Sequence, residues 1–332
     1  MKRCLLRQNT SNKLTLKHLR EEAIEHLLSS PFLCKNVAYE RINAVLDVDV
    51  LLCFLLKKSK AYLLAHLDEY AFEINNFYKM LEMRYCGTSI AYIIGEKEFY
   101  GLKFSVNPSV LIPKSDTETL VEVSIKAIED LLYKRRIGEC IGEYELNILD
   151  VFSGSGCVGI ATVHSLLSKL KDDNCIFCIH CSFLDVSSEA IEVSRFNAKK
   201  LLPDFIQTHL SFFCQDARQR FPLKDGKKYD VIMANPPYVS QKDTGELLSD
   251  GRSEPALALD GGADGFAFFA SLAKNAREAL KDGGTLFCEV GDGQAEEVLE
   301  LFAKTGFVNT KSYYDLSQKK RVVKGEALES LF

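Results

Sequence analysis

The first glycine of this 332-residue chain is Gly87, so all twenty of its glycines lie from there onward, and the 86 residues before it hold a single proline, Pro31. Glycine and proline are the commonest chain breakers, so a long stretch almost without them is restricted to helices joined by short polar turns. The apolar positions agree. Leu16, Leu19, Ala23, Ile24, Leu27 and Leu28 fall on one helical face, and "DVDVLLCFLLKK" and "DEYAFEINNFYKMLEMRYC" continue the pattern. Residues 1–86 are therefore predicted to form a small helical domain, read as a docking module for a protein partner rather than a structural cap.

From residue 87 to 118 short strand-like runs are broken by Gly95, Gly101 and Pro108, as in a linker carrying a β-hairpin. Residues 119–332 then alternate strands with helices: "NILDVF", "CVGIATVHSLLSKL", "FCIHCSFLDV", "SSEAIEVSRFNAKKLL", "HLSFFCQD" and "YDVIMANPPY" follow in turn. A further helix, "FAFFASLAKNAREALKD", leads to the strand "GTLFCEVG". That alternation predicts the α/β class, a mostly parallel, doubly wound sheet with helices on both faces. The tail from Gly306 to Leu328 reads as two antiparallel strands at one edge.

The glycine turn "LDVFSGSGCVGIA" joins a strand to a helix. Gly154 and Gly156 let backbone approach a ligand, and a helix start offers free N–H groups and positive dipole. A lone G-x-G is weak, and here the longer pattern is shifted to Gly154, Gly156 and Gly159. Asp185, ending the next strand, is placed to accept from ribose hydroxyls. Asp216, ending the third, is placed to accept from an adenine amino group. Together they predict an adenosine-bearing cofactor.

The fourth strand ends on Asn235-Pro236-Pro237-Tyr238. A residue before proline is held extended, and each proline fixes φ and offers no N–H. The Asn235 side-chain oxygen and the Pro236 carbonyl thus form a rigid pair of acceptors suited to an –NH2 group, with Tyr238 as a flat face beside it. An amide nitrogen is a poor nucleophile, so positioning and a strong electrophile are needed. The methyl sulfonium of S-adenosylmethionine meets that need, and no metal is expected.

Composition narrows the partners. A formal charge of −5 disfavours a broadly basic nucleic-acid grip, and no apolar run reaches the ~18 residues of a membrane span. The first twenty residues carry six basic groups and no acid, yet lack the apolar block of a secretory signal. A mitochondrial presequence shares that character, but the stretch from Leu16 already reads as folded helix, so a cytoplasmic monomer is expected. Eleven scattered cysteines suit reduced thiols. Cys175, Cys178 and Cys181 have a metal-like spacing, but strand alternation turns Cys178 away from the other two. They are read as small core residues, and the six histidines show no ligand spacing.

Several separate stretches, in order, resemble the release-factor glutamine N5-methyltransferases. "DVDVLLCFLL" with "KSKAYLLAHLDE" is similar to that family's helical domain, and "AYIIGEKEFYGLKFSVNPSVLIPKSDTETLVE" to its linker. "EPALALDGGADG" and "RVVKGE" are similar to its later signatures. The resemblance implies a Rossmann-like methyltransferase domain behind an N-terminal helical bundle. Its implied substrate is the glutamine of the Gly-Gly-Gln loop in class I peptide chain release factors. By position, Phe152, Ser153, Gly154, Ser155, Gly156, Asp185, Asp216, Ala217 and Asn235 would line the cofactor, and Asn235, Pro236, Pro237 and Tyr238 would hold the amide. Three positions depart from the pattern: Phe152 for a small residue, Ala217 for an aromatic, and Lys114-Ser115 for Arg-Pro. The rival readings are an adenine-N6 nucleic-acid methyltransferase, which needs a flipped base, and a glutamine methyltransferase acting on a ribosomal protein.

Overall fold

The computed structural model describes residues 14–35, 39–71, 73–137, 144–169, 177–249 and 253–328. Most of the basic N-terminal segment, and Cys175, lie outside them. The chain divides into two compact units, one reaching to Ile94 and taking in Leu247–Ser253, the other comprising Gly95–Glu246 and the chain from Glu254.

The first unit is helical: α1 (Leu16–Leu28), α2 (Arg41–Leu56), α3 (Lys60–Ala65), α4 (Ile74–Tyr85) and α5 (Ile90–Ile94). Side-chain caps substitute for glycine punctuation. Thr15 caps α1, Ser59 caps α3, and Glu40 and Asn43 form a reciprocal capping box on α2. Where the chain needs left-handed backbone, Lys57 and Glu73 supply it, both at φ 53°, at a cost of about 1 kcal/mol each. Leu19, Ile24, Leu27, Val48, Leu51, Leu52, Phe77 and Leu81 form the core. Asp49, buried on α2, is held by the Arg20 guanidinium at 2.5 and 3.2 Å. The unit runs past the boundary expected at residue 86, because Ile90, Ile93 and Ile94 pack on the same core.

The second unit opens with a hairpin, β1 (Glu96–Phe99) and β2 (Leu102–Ser105). Its two-residue turn, Tyr100-Gly101, has φ 51° and 72°, the positive pair that matches strand twist. The hairpin is fastened to its own unit. Asn197 accepts from Ser105 N at 2.8 Å and donates to Ser105 O at 2.9 Å. There follow α6 (Glu118–Ile137), β3 (Tyr144–Val151), α7 (Cys157–Lys169), β4 (Phe177–Asp185), α8 (Ser188–Leu201), α9 (Asp204–Gln207) and β5 (Leu210–Cys214). Then come β6 (Tyr229–Ala234), α10 (Gln241–Leu248), α11 (Phe269–Ala279), β7 (Leu280–Glu289), α12 (Ala295–Lys304), β8 (Phe307–Tyr314) and β9 (Lys320–Ala327).

The strands form one sheet in the order β5-β4-β3-β6-β7-β9-β8. The first five are parallel, and β9 and β8 close the edge antiparallel, as the sequence pattern predicts. Alternate residues feed opposite faces: Ile148 enters one core with α6 and α7, while Leu149 enters the other with α11 and α12. Burial on both sides explains why these strands read as continuous apolar runs. Among the described residues no helix is long and apolar enough to cross a membrane.

Candidate active site

Chain order reverses between β3 and β6, and register sets what lies at that switch. Val151 pairs with Leu184 on one side and Ala234 on the other, Ala234 pairs with Cys288, and Asp185 pairs with Cys214. The next residues therefore leave the sheet at one level. Asp185, Phe152, Asn235 and Glu289 stand in a row along its carboxyl edge, where open α/β sheets bind ligands.

The glycine turn after β3 is hung on β4. Ser153 N donates to Leu184 O at 3.1 Å, and Gly154 N to Asp185 Oδ2 at 2.9 Å. The other Asp185 oxygen accepts from Ser187 N at 3.0 Å. Burial pushes the Asp185 carboxyl above its ordinary range, opposed by the N–H groups of Ser187, Gly154 and Val186. Asp150, fully buried under the turn, accepts from Gly159 N at 2.8 Å. Burial first, then nearby Asp185, drives its carboxyl up to about 8 against that N–H.

The two turn glycines have different jobs. Gly154, at φ 52°, has open space where a Cβ would stand, the nearest atom being 4.0 Å away. A Cβ on Gly156 would come within 2.5 Å of Ser194 Oγ and 2.8 Å of Ile160 Cδ1. Packing against Ser194 of α8 and Ile160 of α7 thus demands glycine at 156 whether or not its backbone also faces a ligand, whereas Gly154 leaves room for one. Phe152 stands at φ 60°, a conformation natural to glycine, and its ring meets Phe268 edge-on at 5.4 Å. The buried Ser153 hydroxyl has no hydrogen-bond partner among the described residues. That orphan, the open space at Gly154 and the spare acceptor capacity of Asp185 fit a polyhydroxylated, nucleoside-bearing cofactor.

Asp216 and Ala217 follow β5. Both Asp216 oxygens face the Arg218 guanidinium, at 2.6 to 3.1 Å, and that hydrogen-bonded pair holds the carboxyl below its usual range. An amino group arriving there must share Asp216 with Arg218, which also lies 5.9 Å over the Phe268 ring. The Ala217 methyl is packed in the α11 core, and its carbonyl accepts from Asn275 Nδ2 at 3.0 Å.

Asn235 follows the fully buried β6, and its Nδ2 lies 3.3 Å from Thr117 Oγ1. That bond leaves the side-chain oxygen as the acceptor. Pro236 and Pro237 are buried. The Tyr238 hydroxyl donates to Glu289 Oε1 at 2.9 Å. Burial lifts the Glu289 carboxyl to about 7, opposed by the Thr117 and Tyr238 hydroxyls and by Arg321. Arg321 in turn holds Asp315 at 3.1 Å and Asp116 at 3.3 Å.

The stretch 254–265, notable in the sequence only through its family resemblance, is the brace of this loop. Val239 N donates to Leu259 O, Gly261 N to Val239 O and Gln241 N to Gly262 O, at 3.0, 2.7 and 2.8 Å. Gln294 Nε2 reaches Tyr238 O at 3.2 Å. Buried Glu254 binds Lys114 at 2.5 Å, so the Lys114 departure keeps a cation on that acid. Thr117, Glu289, Glu254 and Gln294 were not legible as site residues. For the last three the one signal was an acid or amide at a strand end or in a turn, and for Thr117 its place in "PKSDTE".

A sequence model described as the PrmC N-terminal domain matches residues 39–95. The release factor glutamine methyltransferase of Clostridium acetobutylicum is 32% identical over 282 residues, covering 83% of this chain and 89% of that one. Its namesake from Aliivibrio fischeri is 32% identical, covering 84% and 89%. A bifunctional methyltransferase of Rickettsia felis is 36% identical over 301 residues, and the chain spans 54% of its length. Among solved structures, a putative class I S-adenosylmethionine-dependent methyltransferase from Listeria monocytogenes overlays with a TM-score of 0.43 at 14% identity, covering 95% of this chain and 90% of that one. With relatives at this identity along nearly their whole length, the chain belongs to the release factor glutamine methyltransferase family.

Proposed function

We propose that this chain transfers a methyl group from S-adenosylmethionine to the side-chain amide nitrogen of the glutamine in the Gly-Gly-Gln loop of class I peptide chain release factors. The observation that carries the reading is the shared level of Phe152 and Asn235 at the ends of paired strands β3 and β6. A cofactor on the glycine turn and an amide on Asn235 are thereby neighbours.

Bound S-adenosylmethionine would supply an electrophilic methyl on a sulfonium. The rest falls to the protein. Thr117 fixes the Asn235 amide so that its oxygen accepts one substrate N–H, and the Pro236 carbonyl accepts the other. Their rigidity aims the nitrogen lone pair, and positioning of this kind lowers the barrier by several kcal/mol, roughly. Tyr238 supplies a flat wall held by Glu289. The amide proton can leave once nitrogen carries positive charge, so no strong base is needed in the row.

The helical unit is read as the docking module. Along α2, Ile42, Leu46, Val50 and Phe54 are 41 to 66% exposed and recur every fourth residue, so they share one stripe. The opposite side of α2 carries Ala44, Val48, Leu51 and Leu52 into the core. An exposed apolar stripe of this kind suits a protein partner. Action in the cytoplasm, where release factors meet ribosomes, accords with cysteines that are thiols throughout the described residues.

The test is one labelling assay with methyl-labelled S-adenosylmethionine. It offers a class I release factor, the same factor with its loop glutamine changed to alanine, a ribosomal-protein substrate, and duplex or single-stranded nucleic acid. One labelled methyl on the loop glutamine of the intact factor alone is expected. Label on adenine or on the ribosomal protein would overturn the substrate assignment.

A further inference from the structure

At the amino end of β4, far from the row just described, three soft ligand atoms converge. Cys178 Sγ lies 3.3 Å from Nε2 of His180 and 3.3 Å from Nδ1 of His209, and all three atoms lie within 4.8 Å of one another. Asp185 is seven residues further along the strand, about 20 Å away at the rise of an extended chain. The cluster is therefore separate from the candidate active site.

The fold explains how it forms. Cys178 and His180 are two apart on a strand, so they share a face, while Cys181 turns the other way into the core. His209 arrives from the turn between α9 and β5, where its carbonyl accepts from Cys181 N at 3.2 Å. The two histidine rings then stand edge to face, with centroids 4.9 Å apart.

We infer that Cys178, His180 and His209 form a Zn2+ site. Thiolate and imidazole are the donors zinc prefers, and calcium or magnesium would ask for oxygen ligands instead. The spacing suits it: bonds of about 2.3 Å to sulfur and about 2.0 Å to nitrogen, at a tetrahedral angle, place ligand atoms roughly 3.5 Å apart. Binding requires the Cys178 thiol to give up its proton to solvent and both imidazoles to be neutral. His180 also lines a small cleft with Asn147, Ser182 and Lys227, which gives a water or an exogenous ligand access to the fourth position. The metal would join β4 to the start of β5, the edge strand of the sheet, and so clip the part of the sheet with pairing on one side alone.

The full-length chain, purified under reducing conditions and stripped with chelator, is titrated with Zn2+ and separately with Co2+. About one equivalent per chain is expected, with a cobalt–thiolate charge-transfer band, and with affinity reduced on the order of 100-fold or more in Cys178→Ser, His180→Asn and His209→Asn. Zn2+ should also shield Cys178 of the unaltered chain from alkylation, mapped by peptide mass spectrometry. That reading needs no variant to fold. Cys178 alkylated equally with and without Zn2+, or metal uptake unchanged in all three variants, would overturn the site.

Discussion

The Tyr238 hydroxyl donates to Oε1 of Glu289 across 2.9 Å, joining the Asn235–Tyr238 loop after β6 to the last residue of β7. The phenol is thus fixed at its far end, and one ring edge lies 3.1 Å from where a Cβ on Gly291 would stand. Tyr238→Phe keeps the face and loses the tether, so kcat should fall within about tenfold. Tyr238→Ala loses both and should fall about 100-fold, the scale of a misplaced reactant. Equal losses in steady-state assays would assign the work to the hydroxyl.

Glu289 also gives the fold a pH dependence. Its carboxyl is raised from 4.5 in the unfolded chain to about 7, so the native state holds a proton the unfolded chain has lost. The stability from that neutral carboxyl is complete below about 4.5 and is lost as pH rises through about 7. Glu289→Gln stays neutral throughout. Urea midpoints at pH 6 and pH 8.5 should therefore differ less in the variant than in the parent chain, and an unchanged difference would place the titration elsewhere.

Asn235→Ala should abolish methyl transfer, by about 100-fold or more, and change cofactor affinity by less than about threefold. The buried Thr117 hydroxyl that loses the Nδ2 bond keeps Glu289 as a partner, so the fold should survive. Isothermal titration with S-adenosylmethionine separates the roles: lost cofactor binding with residual turnover would make Asn235 a cofactor residue.

The turn glycines should part company. Gly154→Ala meets open space but a left-handed φ, so it should fold with about 1–2 kcal/mol lost and bind cofactor weakly. Gly156→Ala adds a collision with Ser194 and Ile160 and should lower the melting temperature more, by several degrees beyond Gly154→Ala, roughly. Differential scanning fluorimetry of the two variants decides it, and the reverse order would contradict the packing argument.

On α2, Ile42→Ser with Leu46→Ser removes half of the exposed apolar stripe. The docking reading expects KM for the release factor to rise about tenfold or more, with cofactor affinity and melting temperature nearly unchanged. A KM that stays put would reduce the helical unit to a structural cap.

Much of this was legible in the chain itself. The absence of glycine before residue 87 dictated helices, because those residues had no cheap way to turn. Alternating apolar runs dictated a parallel sheet, and "NPPY" after such a run placed Asn235 at the carboxyl end of a buried strand. What stayed hidden depended on residues distant in sequence meeting through register. Nothing local ties Thr117 to Asn235 or Glu289 to Tyr238, and only the pairing of β6 with β7 and the packing of α6 put them in reach. Likewise Gly154 and Gly156 look alike in the turn, and only α8 tells them apart. His209 is far from Cys178 in the chain, and the turn before β5 delivers it. Sequence determines local preference through backbone sterics and apolar period, whereas which polar atoms face one another is decided by where the packed strands end.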